Sequence, residues 1–321
     1  MIYDYDFFKK IAYFPEPKII IDRAFKSAKK SLSNLELPSK KELVKLKKIK
    51  HKIFVNIFVF MIDQELNEII SKLPNFNELS GFYRDLISAK FDFNQIKLEI
   101  RKIKFTIKKI KEFKKIYLED YKKYEEFIGR TTDLVENLSD TIEYLNSFVD
   151  YVHSFPNLKY LPTIALAGYP NVGKSSFLRY FTKADVEVQD YAFTTKRLQI
   201  GYVQDLPALQ IVDAPGMLDR PFEEMNFIEK QAYLVLKYAT AVFFIFDPGL
   251  DHEKQLNLLR RVKEIKDVYI IVNKIDLYPE FKWNYDNALG IYYISLSTGK
   301  NCEEVYNLMK KIFYENYKTY K

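Results

Sequence analysis

Read by the spacing of its apolar positions, the chain changes character near residue 160. Before that point hydrophobic residues recur every three or four positions, which puts them on one face of an α-helix. Ile96, Ile100, Ile103, Ile107 and Ile110 form the clearest such stripe. Residues 19–32 predict a first short helix. A second is expected to start after Ser39, whose hydroxyl suits an N-cap with Glu42 three residues on. It runs to about Leu73 through Ile53, Ile57, Phe60 and Ile70, and Pro74 stops it. Residues 75–89 make a shorter element, and 132–152 a last helix through Leu134, Leu138, Ile142, Leu145 and Val149. Pro156 and Pro162 bracket a linker. Beyond it, short β-rich runs at 163–167, 198–203, 209–212, 241–246, 268–272 and 292–294 alternate with helical segments, the pattern of a doubly wound, mostly parallel sheet. A final helix is expected over 303–317. The expected fold is α plus α/β: a helical bundle over 1–160, then a doubly wound domain with flanking helices over 161–321. Ligands of such sheets bind at the carboxyl ends of the strands.

Composition narrows the function classes. A chain of 321 residues suggests two domains, and 48% hydrophobic content supplies a large core. The longest apolar run, residues 53–62, contains Asn56 and is about half a bilayer span, so it predicts a buried helix and no membrane partner. The first ten residues carry two acids and no small-residue cleavage site, unlike a signal peptide. Cys302, the single cysteine, excludes a disulfide scaffold or a cysteine-rich zinc site; a reducing, cytoplasmic location is expected. His51, His153 and His252 are scattered and suit no metal or triad arrangement. The net charge of +7 lies wholly in residues 1–160, which hold 30 Lys+Arg against 23 Asp+Glu. That asymmetry points to a polyanion partner, nucleic acid being the usual one. Arg101, Lys104, Lys108 and Lys111 follow the isoleucine stripe one residue later, and Lys41, Lys45, Lys48 and Lys52 repeat the rhythm on the second helix. Such a stripe either tracks phosphates by shape or is the wet side of a bundle helix.

The candidate chemistry sits in the second half. Residues 163–176 read TIALAGYPNVGKSS: an apolar strand, then the spacing G-x-x-x-x-G-K-S from Gly168 to Ser175, then a helical pattern from Leu178. Glycines let the backbone fold around a phosphate, and successive N–H groups plus the helix N-terminus point at it. Lys174 would reach the β- and γ-phosphates, and Ser175 would bind magnesium. Asp213-Ala214-Pro215-Gly216 follows the run 209–212; the acid can hold the metal through water, and the Gly216 N–H can touch the γ-phosphate. Asn273-Lys274-Ile275-Asp276 ends the run 268–272, and the Asp276 carboxylate can accept from both N1–H and N2–H of guanine. Adenine lacks that donor pair, so this motif selects GTP. The segment YAFTTK, 191–196, brings Phe193, Thr194 and Thr195 after the first helix of this half, with Thr195 the favoured third magnesium ligand. Ser295, Leu296 and Ser297 end the last run and could cup the base.

With those residues in hand the chain resembles the nucleolar GTP-binding protein family, within the Obg-like group of translation-factor GTPases, and in size its archaeal form. The resemblance rests on GYPNVGKSS (168–176: Gly168, Tyr169, Pro170, Asn171, Val172, Gly173, Lys174, Ser175 and Ser176), on YAFTTK, on Asp219-Arg220-Pro221 with Glu223-Glu224, and on LPNFNELSGFYRDLI (73–87). It departs at Ala192, where proline is usual, and at Leu296, where alanine is common. Eukaryotic members also continue well past this length. The resemblance implies a helical N-terminal domain plus a G domain hydrolysing GTP to GDP. It further implies contact with ribosomal RNA, assembly of the large ribosomal subunit, and a protein monomeric off the ribosome. Met217 stands where Ras-type enzymes orient water with glutamine, so slow intrinsic hydrolysis is expected, raised by a partner or by a monovalent ion. Asn171 occupies the position that helps hold potassium in related GTPases; it is either that or a loop spacer. The two functional expectations are a GTPase timer, served by Lys174, Thr195 and Gly216, and a scaffold on ribosomal RNA that holds GTP without turnover.

Overall fold

The computed structural model describes residues 5–33, 43–79, 81–182, 186–190, 197–203, 205–213, 224–285 and 287–320. The expected cap at Ser39 and Glu42 lies outside them. The helices of the first half are α1 (Tyr5–Lys9), α2 (Pro17–Ser33), α3 (Leu43–Lys72), α4 (Gly81–Ser88), α5 (Phe93–Tyr117), α6 (Tyr124–Glu136) and α7 (Ser139–His153). The chain divides into two compact units that do not follow chain order. One comprises Phe7–Glu78 and Phe91–His153; the other takes Leu79–Lys90 and Ser154–Lys321, with the first few residues.

In the helical unit, α5 buries Ile96, Ile103, Ile107 and Ile110, four of the five expected stripe residues. Its start is capped by Asp92, which accepts the Asn94 N–H at 2.8 Å. The buried face of α3 differs from expectation. Phe54, Val55, Phe58, Val59, Ile62, Leu66 and Ile69 are buried, while Phe60 is 54% exposed. A run as apolar as residues 53–62 carries no phase, so neighbouring helices choose the face; Phe25 from α2 meets Phe58 at 4.7 Å and Tyr124 from α6 meets Phe54 at 5.1 Å. The single helix expected over 132–152 is two. The chain breaks at Asn137 and Leu138, where the Leu138 N–H turns back to Val135 O at 3.0 Å. Apolar spacings of four, four and three continue through the break, so periodicity alone hides it.

The other unit is an α/β fold. Its strands are β1 (Thr163–Ala167), β2 (Val186–Asp190), β3 (Arg197–Val203), β4 (Leu206–Asp213), β5 (Ala241–Phe246), β6 (Val268–Val272) and β7 (Gly290–Tyr293), in the sheet order β2-β3-β4-β1-β5-β6-β7. Strands β4, β1, β5, β6 and β7 are mutually parallel; β3 runs antiparallel to both β2 and β4. β2 was not among the expected runs, for VEVQD has only two apolar residues. Helices α8 (Lys174–Thr182), α9 (Phe227–Tyr238), α10 (His252–Ile265) and α11 (Cys302–Asn316) complete the unit. Strand alternation splits the core. Ala165, Val242, Phe244, Ile270 and Val272 pack with α9 and α10, and Ile164, Leu166, Phe243, Ile245 and Ile271 pack with α8 and α11.

α4 packs on α9 within this unit. Asp85 accepts from Lys237 Nζ and Tyr238 Oη, both at 2.7 Å. Tyr83 Oη donates to Leu158 O at 2.8 Å. The register Leu166↔Asp213, Ala167↔Phe244 and Phe246↔Val272 aligns the carboxyl ends of β4, β1, β5 and β6, so the loops that follow them emerge side by side.

Candidate functional site

The loop after β1 depends on three residues with positive φ: Gly168 at 146°, Asn171 at 65° and Gly173 at 105°. A Cβ on Gly168 would lie 2.5 Å from Ile245 O, so only glycine lets this backbone cross β5 so closely. α8 then begins, the Phe177 N–H bonding Gly173 O at 2.8 Å. Lys174 Nζ folds back across the loop and donates to Gly168 O at 2.9 Å and Tyr169 O at 3.0 Å. Burial pulls its ammonium below the usual lysine range, with the Asp213 charge opposing. The carbonyls it ties would be released if a phosphate took the lysine instead.

Ser175 Oγ donates to Asp213 Oδ2 at 2.9 Å. Asp213 is 7% exposed. Its Oδ1 has no hydrogen-bond partner among the described residues. Burial pushes this carboxyl up, and Lys174 and Ser175 pull against that rise. An unpartnered buried carboxylate oxygen beside a hydroxyl is a donor set that fits a hard divalent cation. Among the described residues no cluster of three or more His, Cys, Asp or Glu could hold a metal. Magnesium therefore fits as an ion held by few protein ligands and completed by phosphate and water, its ordinary manner.

Asn273 ties the motifs together. It is 3% exposed. Its Nδ2 donates to Val172 O at 3.0 Å, and its Oδ1 accepts the Leu296 N–H at 3.3 Å. A Cβ on Gly173 would stand 2.6 Å from that Nδ2. One amide thus joins the phosphate-type loop to the loops after β6 and β7. Lys274 has φ 61° and pairs with Asp247. Asp276 is exposed, and its Oδ2 accepts from Ser297 Oγ at 3.0 Å. Hydrogen bonds from Ser295 and Ser297 hold its carboxyl below the usual carboxylate range, so it stays ionised at neutral pH. The Leu296 N–H is committed to Asn273, and that of Thr298 bonds Ser295 Oγ at 3.3 Å; these two amides brace the loop.

Of the expected site residues, Asp213 is the last residue of β4, and 168–176, Asn273, Lys274, Asp276 and 295–297 come after the carboxyl ends of β1, β6 and β7. Phe193, Thr194, Thr195 and Gly216 lie outside the described residues, as does Met217. Asp247 and Gln255 join the cluster and were not anticipated. The Asp-Pro-Gly after β5 stood at a strand end, but no spacing in the sequence links it to Lys274.

On the helical unit, Arg101, Lys104, Lys108 and Lys111 are all exposed on α5. Lys111 pairs with Asp63 of α3 at 2.9 Å, and Lys52 with Glu119 at 2.7 Å. Phe105, 56% exposed, sits among these charges, with Lys109 Nζ 5.6 Å from its ring centre. Lys41 lies outside the described residues. No helix among them is long and apolar enough to cross a membrane.

Two family models match the chain. One is described as a 50S ribosome-binding GTPase and matches residues 163–274; the other is the NOG1 N-terminal helical domain and matches residues 8–164. An uncharacterized protein of Methanocaldococcus jannaschii is 47% identical over 132 residues, covering 39% of this chain and 37% of that protein. Nucleolar GTP-binding protein 1 of Kluyveromyces lactis is 40% identical over 162 residues, covering 46% of this chain and 25% of that protein. The matched stretch is thus well under two thirds of either relative's length. Among solved structures, a candidate nucleolar GTP-binding protein 1 from Plasmodium falciparum is 30% identical, covers 50% of this chain and 91% of that one, and superposes with a TM-score of 0.42.

Proposed function

Because this chain belongs to the nucleolar GTP-binding protein family, its NOG1-type helical domain followed by a GTPase domain, we propose that it binds GTP, hydrolyses it to GDP and phosphate, and acts as a switch in large ribosomal subunit assembly. The observation that carries this reading is the single Asn273 amide bonded to both Val172 O and the Leu296 N–H. It gathers the phosphate-type loop after β1 and the base-type loops after β6 and β7 at the same carboxyl edge of the sheet, with β5 between them, as one nucleotide requires.

In this reading residues 161–321 hold the nucleotide and the basic helices of 1–160 contact ribosomal RNA. Successive N–H groups of 168–176 receive the phosphates, and Lys174 exchanges its two carbonyl partners for phosphate oxygens. Asp276 takes N1–H and N2–H of guanine, braced by Ser297, while Leu296 and Ser297 flank the base. Ser175 and Asp213, with Thr195, would hold magnesium, which supplies charge neutralisation for the leaving phosphates. Phe193, Thr194, Thr195 and the Gly216 N–H complete the site on the γ-phosphate side and report its presence. Met217 has no group to orient water, so turnover of the isolated protein is slow and is raised by a partner or by potassium, the latter through Asn171. The compartment we propose is the cytoplasm, although the eukaryotic relatives are named for the nucleolus.

The test is GTP turnover of the purified chain, alone and with large ribosomal subunits, in potassium and in sodium. Stimulation by subunits is expected. Tight GTP binding with no turnover under any of these conditions would replace the switch by a GTP-bound scaffold on ribosomal RNA. Equal rates in the two salts would remove potassium and Asn171 from the mechanism.

A further inference from the structure

Resting on the guanine-site reading, we propose that Asp247 is a positioning residue for base recognition: a buried carboxylate that anchors Lys274 and, through it, the turn that presents Asp276. Asp247 follows β5 and is 1% exposed. Both of its carboxylate oxygens are committed. Oδ2 pairs with Lys274 Nζ at 2.5 Å, and Oδ1 accepts the Gly249 N–H at 2.9 Å. Its main chain is gripped as well. Gln255, fully buried on α10, accepts the Asp247 N–H at 3.0 Å and donates to Asp247 O at 2.9 Å. The carboxylate is therefore immobile, while the Lys274 side chain that meets it is 38% exposed. Of the two partners the acid is the fixed point and the lysine follows.

Lys274 needs such an anchor. Its φ of 61° lies in the left-handed region, which disfavours any residue with a Cβ and persists where surroundings over-determine it. The next turn is built on it: its carbonyl accepts the N–H groups of Leu277 at 2.9 Å and Tyr278 at 3.2 Å. Asp276 sits inside that turn, so its direction is set by how Lys274 is held. A second contact joins the same two loops, for a Cβ on Gly249 would lie 2.1 Å from Tyr278 Oη. Pairing at Asp247 thus carries the rigidity of β5 and α10 to the carboxylate that reads the base.

The experiment measures GDP and IDP affinity of the full chain by calorimetry. IDP lacks the 2-amino group, so the GDP/IDP ratio reports the alignment of Asp276. Wild type is measured first; failure to bind GDP, or to prefer it over IDP, would sink the guanine-site reading itself, separately from this proposal. Asp247→Asn keeps an acceptor for Gly249 but turns an amide towards the ammonium, leaving a charge without its partner. GDP affinity is expected to fall about tenfold or more. IDP is expected to lose less, so the ratio narrows by about threefold or more. Should Asp247→Asn not fold by circular dichroism, Gln255→Ala loosens Asp247 without touching Lys274 or nucleotide, and must narrow the same ratio. A folded variant that keeps the wild-type ratio, whether both affinities hold or fall together, would overturn the proposal, since a purely structural role moves both nucleotides alike.

Discussion

Gly173 shows how much can depend on one missing atom. Its φ of 105° and the 2.6 Å separation between a would-be Cβ and Asn273 Nδ2 leave no place for alanine. Gly173→Ala must either relax the backbone or displace the amide that holds Val172 O. Backbone strain of this kind costs about 1–3 kcal/mol, and the broken hydrogen bond about 1 kcal/mol more. A lower melting temperature and at least about a tenfold loss of GDP affinity are expected, measured by thermal melt and calorimetry; wild-type values for both would mean the loop tolerates the side chain. Glu99 carries the same logic in the helical unit. It is 3% exposed. It accepts from Thr141 Oγ1 at 2.6 Å, Gln95 Nε2 at 2.6 Å and Lys102 Nζ at 2.9 Å. Glu99→Ala strands the buried Thr141 hydroxyl and should cost about 2–4 kcal/mol in a urea titration. Glu99→Gln, which keeps the shape and an acceptor, should cost clearly less.

Among the elements, α4 stands apart because it joins a helix of the first half of the chain to α9 of the second. Burial pushes the Asp85 carboxyl up, but hydrogen bonds from Lys237 and Tyr238 outweigh it and hold the group below the usual carboxylate range. A carboxyl whose folded pKa lies below its unfolded one stabilises the fold above the unfolded pKa. That contribution is lost as pH falls through the folded pKa. Asp85→Asn should therefore melt below wild type at neutral pH, with the gap shrinking once pH drops beneath the ordinary carboxylate range. The pair is partly exposed and screened by solvent, so the neutral-pH gap should be no more than about 1 kcal/mol. A gap independent of pH would assign the effect to packing instead. Beside it, Tyr83 stacks on Phe155 with ring centres 5.9 Å apart, and Phe82 meets Tyr238 edge-on at 6.2 Å, so α4 is held by apolar packing as well as by charge.

For the whole molecule the uneven charge matters most. The surplus of Lys and Arg lies in residues 1–160, and Arg101, Lys104 and Lys108 present it on one exposed face of α5 around Phe105. If that face tracks phosphates, reversing Arg101, Lys104 and Lys108 to glutamate should weaken binding to ribosomal RNA. The slope of log affinity against log salt should also fall, by somewhat under one unit for each phosphate no longer neutralised. An unchanged affinity and slope in a filter-binding assay would leave the stripe as the wet side of a bundle helix. Packing also divides the molecule differently from charge: Leu79–Lys90 belongs with Ser154–Lys321, although it lies between α3 and α5 in the chain.

Local rules explain what was legible in the chain before it folded. The isoleucine stripe of α5, the strands β1, β5 and β6, and the glycine loop are each encoded by residues near one another in sequence. Periodicity and the permissive backbone of glycine act over a few positions. The parallel arrangement then put the loop motifs at strand ends. What lay beyond reach were choices between faces and partners. The buried side of α3 was set by Phe25 and Tyr124 against a run with no polar phase. β2 pairs antiparallel with β3 on a pattern too weak to announce a strand. The break at Asn137 leaves the apolar spacing intact. The pairing of Asp247 with Lys274 joins residues 27 positions apart, and nothing in either neighbourhood names the other. Most of the helices and strands, and the loops whose motifs suit phosphate and base, depend on nearest neighbours and are written in the order of residues. Which faces are buried, and which charge steadies which loop, depends on surfaces that meet after the chain has folded, so only the three-dimensional arrangement fixes it.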